Sequence, residues 1–370
     1  MSLEKYRNRP RQIDWIFALL AVGLALFGLV MVLSASAYLA GTTGDVYQFV
    51  SQQSISLILG LVAMVIMSFI DYRAWRNLAP IIFFGLLILL LGVFVSPECR
   101  GVHRCLDLGF STIQPTEIVK AGFIIYLAAW FARLGPTVQD LRRGVIPFTI
   151  LLAIVGGLIM LQPDMGTTVT LLGASVVLFF LAGARYAHMS LGAVLGGLLL
   201  FGLILIAPYR LARLETFLSP ADDPLGAGYQ TTQIGIAIGS GGLWGLGFGQ
   251  GKLKYLGYVP EVHTDSIFAV VVEELGFLRA LLVLGILLWF ILRGYRIARS
   301  APDLFGRLLG AGMMTLIAAQ VFINLSAILH LIPLTGVPLP FVSYGGSSLV
   351  ATFAAVGILL SISRARDRNI

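Results

Sequence analysis

The sequence predicts an all-α, polytopic membrane protein with about ten transmembrane helices and one long structured loop. Three observations predict it. Charged residues make up 12% of the 370 positions, where a soluble domain carries about 25%. Mean hydropathy is +0.92. Apolar runs recur at about the 20 residues that a helix needs to cross about 30 Å of hydrocarbon, without the alternation of a barrel strand. Backbone groups in lipid must be satisfied internally, so such runs become helices.

Ten spans are expected, near 13–36, 51–70, 78–95, 115–132, 145–161, 167–182, 189–207, 266–292, 308–330 and 342–363. Lys5, Arg7, Arg9 and Arg11 precede the first, and Ser34-Ala35-Ser36-Ala37 offers small residues for signal cleavage. Its apolar run is longer than the roughly 7–15 residues of a signal core, so it reads as a retained helix. With the N-terminus inside, alternate segments hold 17 Lys and Arg on the inner side and 6 on the outer. The positive-inside rule then puts both termini in the cytoplasm. The net charge of +7 is a topology signal and gives no reason to expect nucleic acid.

The chain reads as one domain, 1–370, without internal repeat, heptads or low-complexity segment. Two outer segments are long, 96–114 and the Gly-rich 208–265. Long ordered loops are usually functional, so chemistry is expected on the outer face, against the plainer reading of a solvated connector. Cys99 and Cys105 share the first segment. A short disulfide and two free thiols both remain open. Without a matching His or Asp cluster they make a poor zinc site, and no metal ligands are assigned.

Charges inside spans are functional candidates. Glu117 and Lys120 share a helix face at i and i+3, after Gln114-Pro115-Thr116. Glu273 and Glu274 lie two turns into the eighth span. A Lys120–carboxylate pair across two helices would lower the cost of both charges, either holding the bundle or bordering an anion-binding cavity. Arg279 lies deeper, beyond easy snorkelling reach, with one of the two glutamates as its expected partner. Asp265 stands at the outer start of the eighth span, beside Glu261 and His263. It reads either as a helix N-cap or, with those neighbours facing one cavity, as a proton acceptor. The segment from Pro333 to Ser348 holds Pro333, Pro338 and Pro340, then Ser343, Gly345-Gly346 and Ser347. Prolines forbid a regular helix there, and the small residues suit cavity lining or close packing.

These segments together resemble the SEDS family (shape, elongation, division and sporulation proteins), which includes FtsW and RodA. The resemblance rests on Gln114-Pro115-Thr116-Glu117 with Lys120, Asp223-Pro224-Leu225-Gly226 through Gln230, and Ile238-Gly239-Ser240-Gly241-Gly242-Leu243. Pro260-Glu261 to Asp265 with Glu273-Glu274-Leu275-Gly276, and Pro338-Leu339-Pro340-Phe341 through Ser348, complete it. Gly245-Leu246-Gly247-Phe248-Gly249-Gln250 followed by Lys254 is similar to the FtsW branch rather than the RodA branch. Four departures stand out. Cys105 replaces a Trp, Thr116 a Ser and Ser266 a Phe, while Arg279-Ala280 replace small or apolar residues.

The resemblance implies a peptidoglycan glycosyltransferase of the bacterial cytoplasmic membrane. It would polymerise lipid II, an undecaprenyl-diphosphate-linked disaccharide peptide, at the outer face, in septal division or alternatively elongation. A monofunctional class B penicillin-binding protein is the implied partner. Asp265 takes the position of the family's essential aspartate. Arg104, Lys120, Arg210 and Lys254 are candidates to hold diphosphate, because cations match phosphate oxygens. Gln114, Glu117, Glu261, His263, Ser343 and Ser347 complete the substrate-binding candidates. No cofactor is required by the sequence, and Mg or Mn is compatible with the chemistry. A lipid II flippase and a non-catalytic scaffold for the penicillin-binding protein are the alternatives. Inverted repeats would favour the transporter, and none is visible.

Overall fold

The computed structural model describes residues 13–36, 47–96, 105–107, 112–219, 227–253 and 262–365. Among them α1 is Trp15–Ser36, α2 Gln48–Phe69, α3 Tyr72–Gly92, α4 Pro115–Leu134, α5 Ile146–Met160 and α6 Met165–Leu181. Then follow α7 Tyr186–Ile206, α8 Pro208–Leu218, α9 Ala227–Gly241, α10 Ile267–Arg299, α11 Leu304–Ile328 and α12 Gly346–Arg364. A two-residue ribbon pairs β1 (Leu106–Asp107) with β2 (Thr112–Ile113), antiparallel, just ahead of α4.

Apolar length makes the helices, and a few polar residues set their ends. Asp71, Asp164 and Asp303 accept the N–H groups of Arg73, Thr167 and Gly306 at 2.9, 3.0 and 2.7 Å, opening α3, α6 and α11. Each satisfies a donor that the first turn leaves free. Pro115 and Pro208 open α4 and α8, where the missing N–H costs nothing. Each of the ten expected spans coincides with a helix, α1–α7 and α10–α12. Eight of the described helices are long and apolar enough to cross a membrane, and α6 is a shorter apolar helix. The 208–265 segment is more than a loop. It contains α8 and α9 before folding back against α10.

Most of α11 and α12 is buried, while α2 and α3 are largely exposed. α11 packs on α10, α6 and α4, and α12 on α2. The exposed faces are aliphatic, with Ile58, Ile66, Ile81 and Ile88 among them. A water-facing surface would not tolerate so continuous an apolar band.

α10 is interrupted at Gly276, whose φ of 82° and ψ of 169° leave the helix. The left-handed side of the map is open to glycine without a Cβ clash. The stretch after α9 fills the gap. Phe277 and Leu278 donate to the carbonyls of Gly242 and Leu243, at 2.9 and 3.3 Å. Leu246 and Gly247 donate to the carbonyls of Glu273 and Glu274, both at 3.0 Å. The loop thereby takes up four backbone groups beside the break, and the Leu275 carbonyl accepts Arg279 Nη1.

At the end of the bundle where α1 begins and α12 ends, Asp14 accepts Arg293 Nε at 2.8 Å and the Phe17 N–H at 3.0 Å. Phe17 stacks on Phe290 with centroids 4.5 Å apart, joining α1 to α10. Asp303 accepts the Tyr72 hydroxyl at 2.6 Å and Arg73 Nε at 3.4 Å. Burial works against its charge, but Tyr72, the Gly306 N–H and Arg73 hold the carboxyl below the usual carboxylate range. A lowered folded-state value stabilises above the unfolded pKa, and that stability is lost as pH falls through the folded value. Asp303→Ala should therefore cost about 1–2 kcal/mol near neutral pH. Asp303→Asn keeps the cap and should cost clearly less. Thermal unfolding in detergent checks both, and equal losses for the two variants would remove the cap from the account.

Candidate active site

The turn 262–266 leads into α10 and carries Asp265. Ser266, not Asp265, is the N-cap residue of α10. The Asp265 carboxylate instead accepts the hydroxyls of Thr264 and Ser266, each at 3.3 Å. The helix-cap reading of Asp265 is thus not what the structure shows. Burial raises its carboxyl above the usual range, against the opposing effects of its own N–H, the two hydroxyls and the nearby Arg213 guanidinium. Desolvation disfavours the charged form, which makes the charged form a better base. The turn is pinned from α11, where Asn324 Nδ2 donates to the carbonyls of Asp265 at 2.7 Å and Val337 at 2.8 Å.

His263 does not join the Asp265 carboxylate. Its ring is buried against Phe49 and Tyr344, with centroids 4.6 and 5.1 Å away, and its carbonyl accepts the Tyr344 N–H. Two residues of an irregular turn need not share a face, and the aromatic neighbours claim this one. Glu261, Arg104 and Lys254 lie outside the described residues, as does Cys99. Cys105 is disulfide-bonded, which settles the open thiol question for that residue.

Lys120 is fully buried and pairs with Glu117 of its own helix, Nζ to Oε1 at 2.7 Å. The expected cross-helix pair with Glu273 or Glu274 is absent. Glu273 accepts the N–H groups of Lys252 at 2.7 Å and Leu253 at 3.2 Å. Glu274 accepts Ser34 Oγ at 2.7 Å and the N–H groups of Gly249 and Gly251 at 3.0 and 3.4 Å. The glutamates anchor the glycine loop because its N–H groups, lacking a helix, would otherwise go unpaired. Arg279 also meets neither glutamate. Its Nη1 reaches back to the carbonyls of Trp244 at 2.9 Å and Leu275 at 3.3 Å.

The other candidates hold the same end together. The Gln114 N–H donates to Ser347 Oγ at 3.0 Å, and its side chain to Asp164 at 3.2 Å. Ser343 Oγ accepts the Leu339 N–H at 2.8 Å, stapling its own loop. Arg210 Nη2 donates to the Met160 carbonyl, and Arg213 Nη1 to that of Leu334, both at 3.3 Å. Arg213, Asn324 and Gln320 are functional candidates that the sequence reading missed. The available signal was two polar residues at i and i+4 inside an apolar span.

Several buried polar atoms here have no protein partner among the described residues: Gln320 Nε2, Asn324 Oδ1, Thr116 Oγ1 and Thr335 Oγ1. Antiparallel α4 and α11 touch where Gly312 meets Ile124. Eight residues from each toward the Asp265 end brings Gln320 level with Thr116. By level along the bundle, a polar strip thus follows from Asp265 and its contact Asn324 to Gln320, with Glu117 and Lys120 next on α4. Such orphaned groups are satisfied by water or by a polar ligand. The arrangement suits a ligand with hydroxyls and negative charge beside one proton acceptor.

A family model described as a cell cycle protein, spanning FtsW, RodA and SpoVE, matches residues 14–368. The chain belongs to the FtsW/RodA/SpoVE family. Stage V sporulation protein E of Bacillus subtilis is 40% identical over 95% of this chain and 97% of its own. The probable peptidoglycan glycosyltransferase FtsW of Geobacter metallireducens is 39% identical over 95% and 94%. A solved chain from work on polymerization and crosslinking by a peptidoglycan synthase complex superimposes with a TM-score of 0.81 at 29% identity, covering 96% and 99%. The rod shape determining protein RodA of Thermus thermophilus, solved as an Asp-to-Ala mutant, gives 0.71 at 29% identity over 96% and 99%. Among members of the FtsW/RodA/SpoVE family, Ser266 of this chain departs from the Phe that the resemblance leads one to expect. Here it gives Asp265 a hydroxyl and accepts Gln230 Nε2 at 3.4 Å.

The buried Lys120–Glu117 pair yields a test. Lys120→Met leaves a carboxylate buried and unpaired, which should cost about 3–5 kcal/mol. Lys120→Met with Glu117→Leu should recover most of that stability. Lys120→Arg should lose less activity than Lys120→Met. If the double variant regains both stability and activity, the pair serves the bundle alone. If it regains stability only, Lys120 or Glu117 contacts substrate, and Glu117→Gln alone tells the two apart.

Proposed function

We propose that this chain is a peptidoglycan glycosyltransferase that polymerises lipid II, with Asp265 as general base. The observation carrying the proposal is a half-buried carboxylate that caps no helix, is raised by burial and heads a strip of unpartnered polar atoms. The glycosyltransferase and FtsW names of full-length relatives support the reaction class.

The acceptor sugar brings its 4-hydroxyl to Asp265. As the oxygen attacks the anomeric carbon of the donor, its proton passes to the carboxylate. The new glycosidic C–O bond forms while the bond to the lipid diphosphate breaks, and the diphosphate leaves with the electron pair. Positive charge must meet that leaving group. Arg213 and Arg210 on α8 stand at this end, with Arg104 and Lys254 as further candidates, and Lys120 lies at the foot of the strip. Among the described residues no three His, Cys, Asp or Glu side chains group into a metal site. Mg or Mn, if used, would enter on the diphosphate, as divalent cations do on substrate phosphates.

The orientation follows the charge bias: both termini cytoplasmic, with Asp265, α8 and α9 on the outer face. Labelling a cysteine placed at Lys252 only from the cytoplasmic side would overturn it. A class B penicillin-binding protein is the proposed partner, and division the proposed setting, with elongation as the alternative.

Asp265→Asn is the deciding variant. General-base catalysis is worth about 10²–10⁴-fold, so turnover of purified protein on lipid II should fall by about that much. Stability should move the other way. A raised folded-state pKa means the ionised form opposes folding, and that cost is present above the folded value and absent below the unfolded one. Asn should thus match or exceed wild type in melting temperature near pH 7, with the difference fading in acid. The wild-type rate should climb with pH through a value above the ordinary carboxylate range. Wild-type turnover by Asp265→Asn would end the assignment, and lipid II transport without polymerisation by the wild type would favour the flippase.

A further inference from the structure

Beside the break at Gly276, the outward surface formed by α10 and the stretch after α9 carries one cation among its described residues. Leu243, Trp244, Phe277, Leu278 and Leu282 are exposed there, Trp244 at 68%, and Arg279 is exposed among them. We propose that Arg279 and Trp244 form a binding site for the phosphate of an anionic glycerophospholipid, in the leaflet on the Asp265 side of the membrane.

The guanidinium needs an anion that the described part of the chain does not supply. Only Nη1 is engaged, and both of its acceptors are neutral carbonyls, Trp244 and Leu275. Nε and Nη2 bring three further N–H donors. The carboxylates nearest in sequence, Glu273 and Glu274, face the other way, into the N–H groups of 249–253 and Ser34 Oγ. A guanidinium with three unused N–H donors forms its strongest hydrogen bonds with an anion such as phosphate, so an external anion suits the site.

Depth decides which anion. The guanidinium reaches back to the level of Leu275, and Arg293 marks the opposite boundary of the same helix. The 18 residues between them span about 27 Å, close to the roughly 30 Å thickness of the hydrocarbon. The guanidinium therefore lies at the phosphate layer, not at mid-membrane where a carboxylate on a partner helix would be met. An exposed Trp at this level is a usual interfacial anchor. Phe277, Leu278 and Leu282 continue toward mid-membrane, where acyl chains would lie. A headgroup with its own ammonium would set a second cation beside Arg279, so net negative headgroups are preferred.

Arg279→Gln keeps a polar N–H donor and removes the charge, while Arg279→Lys keeps the charge. Both are to be compared with wild type in phosphatidylcholine nanodiscs with and without phosphatidylglycerol, by melting temperature and by native mass spectrometry of retained lipid. Phosphatidylglycerol should raise the melting temperature of wild type and Arg279→Lys. Arg279→Gln should match wild type in phosphatidylcholine yet lose that increment, with about tenfold weaker phosphatidylglycerol retention, the scale of one charge-assisted contact. An unchanged increment in Arg279→Gln overturns the proposal. So does displacement of the lipid by undecaprenyl phosphate, which would reassign the site to a polyprenyl carrier. Indifference of wild type to phosphatidylglycerol, with Arg279→Gln weakening co-purification of the transpeptidase, would reassign it to a partner helix. Should Arg279→Gln fail to purify as a monodisperse protein, wild type decides. A photoreactive phosphatidylglycerol must then label the 243–282 stretch, and labelling elsewhere overturns the site.

Discussion

The two carboxylates of Glu273 and Glu274 hold the structure around Asp265. A backbone group buried in packed protein finds no water, so a helix may break there only if something else satisfies the freed N–H and C=O groups. At Gly276 that something is the glycine loop after α9. The loop can sit there only because its own N–H groups at 249, 251, 252 and 253 end on the two carboxylates. Gly245 approaches the backbone of Glu274 and Leu275 too closely for any side chain, and its φ is 84°. Ser34 ties the same carboxylate to α1. The break, the loop and the first helix are therefore one unit. The turn bearing Asp265 stands on the last two turns of α10 before it.

Charge is handled the same way elsewhere. Each buried ion described here has a specific partner: Lys120 has Glu117, and Arg293 has Asp14. Neither pair is a strong source of net stability, since desolvation offsets much of the attraction. What they provide is intolerance of half-measures. Removing one member leaves a charge in a medium that cannot hydrate it, so the pairs fix register between elements rather than add to stability. Asp14 shows this, since it caps α1 and holds α10 through one carboxylate. Arg279, which is exposed, meets carbonyls and no carboxylate among the described residues.

Much of this was legible in the sequence. Apolar length alone located the ten helices, and the position of Asp265 ahead of the eighth apolar run located its turn. The i, i+3 spacing of Glu117 and Lys120 already contained their pair, whereas a cross-helix partner depends on a register that side-chain order does not carry. The acceptors for Arg279 and the donors to Glu273 and Glu274 were illegible for a plainer reason. They are backbone groups, and every residue has them. The break at Gly276 hid because helix-forming residues run on both sides of it. α8 and α9 hid because glycines and charges resemble loop. His263 shows the limit of proximity in sequence. Two positions from Asp265, it is claimed by Phe49 and Tyr344 from other elements.

Asp265 concentrates the remaining tension. A base must be ionised to act, yet burial raises its pKa and so resists ionisation. A carboxylate at its ordinary value would be ionised at neutral pH but a weak acceptor for a sugar hydroxyl proton. The site sets these demands against each other within a few ångströms. Burial raises the carboxyl, while the hydroxyls of Thr264 and Ser266 and the charge of Arg213 draw it back down. Arg213 sits on α8, outside the helix bundle, and the hydroxyls come from the turn itself. The basicity of Asp265 is thus set partly from α8 and partly from its own turn.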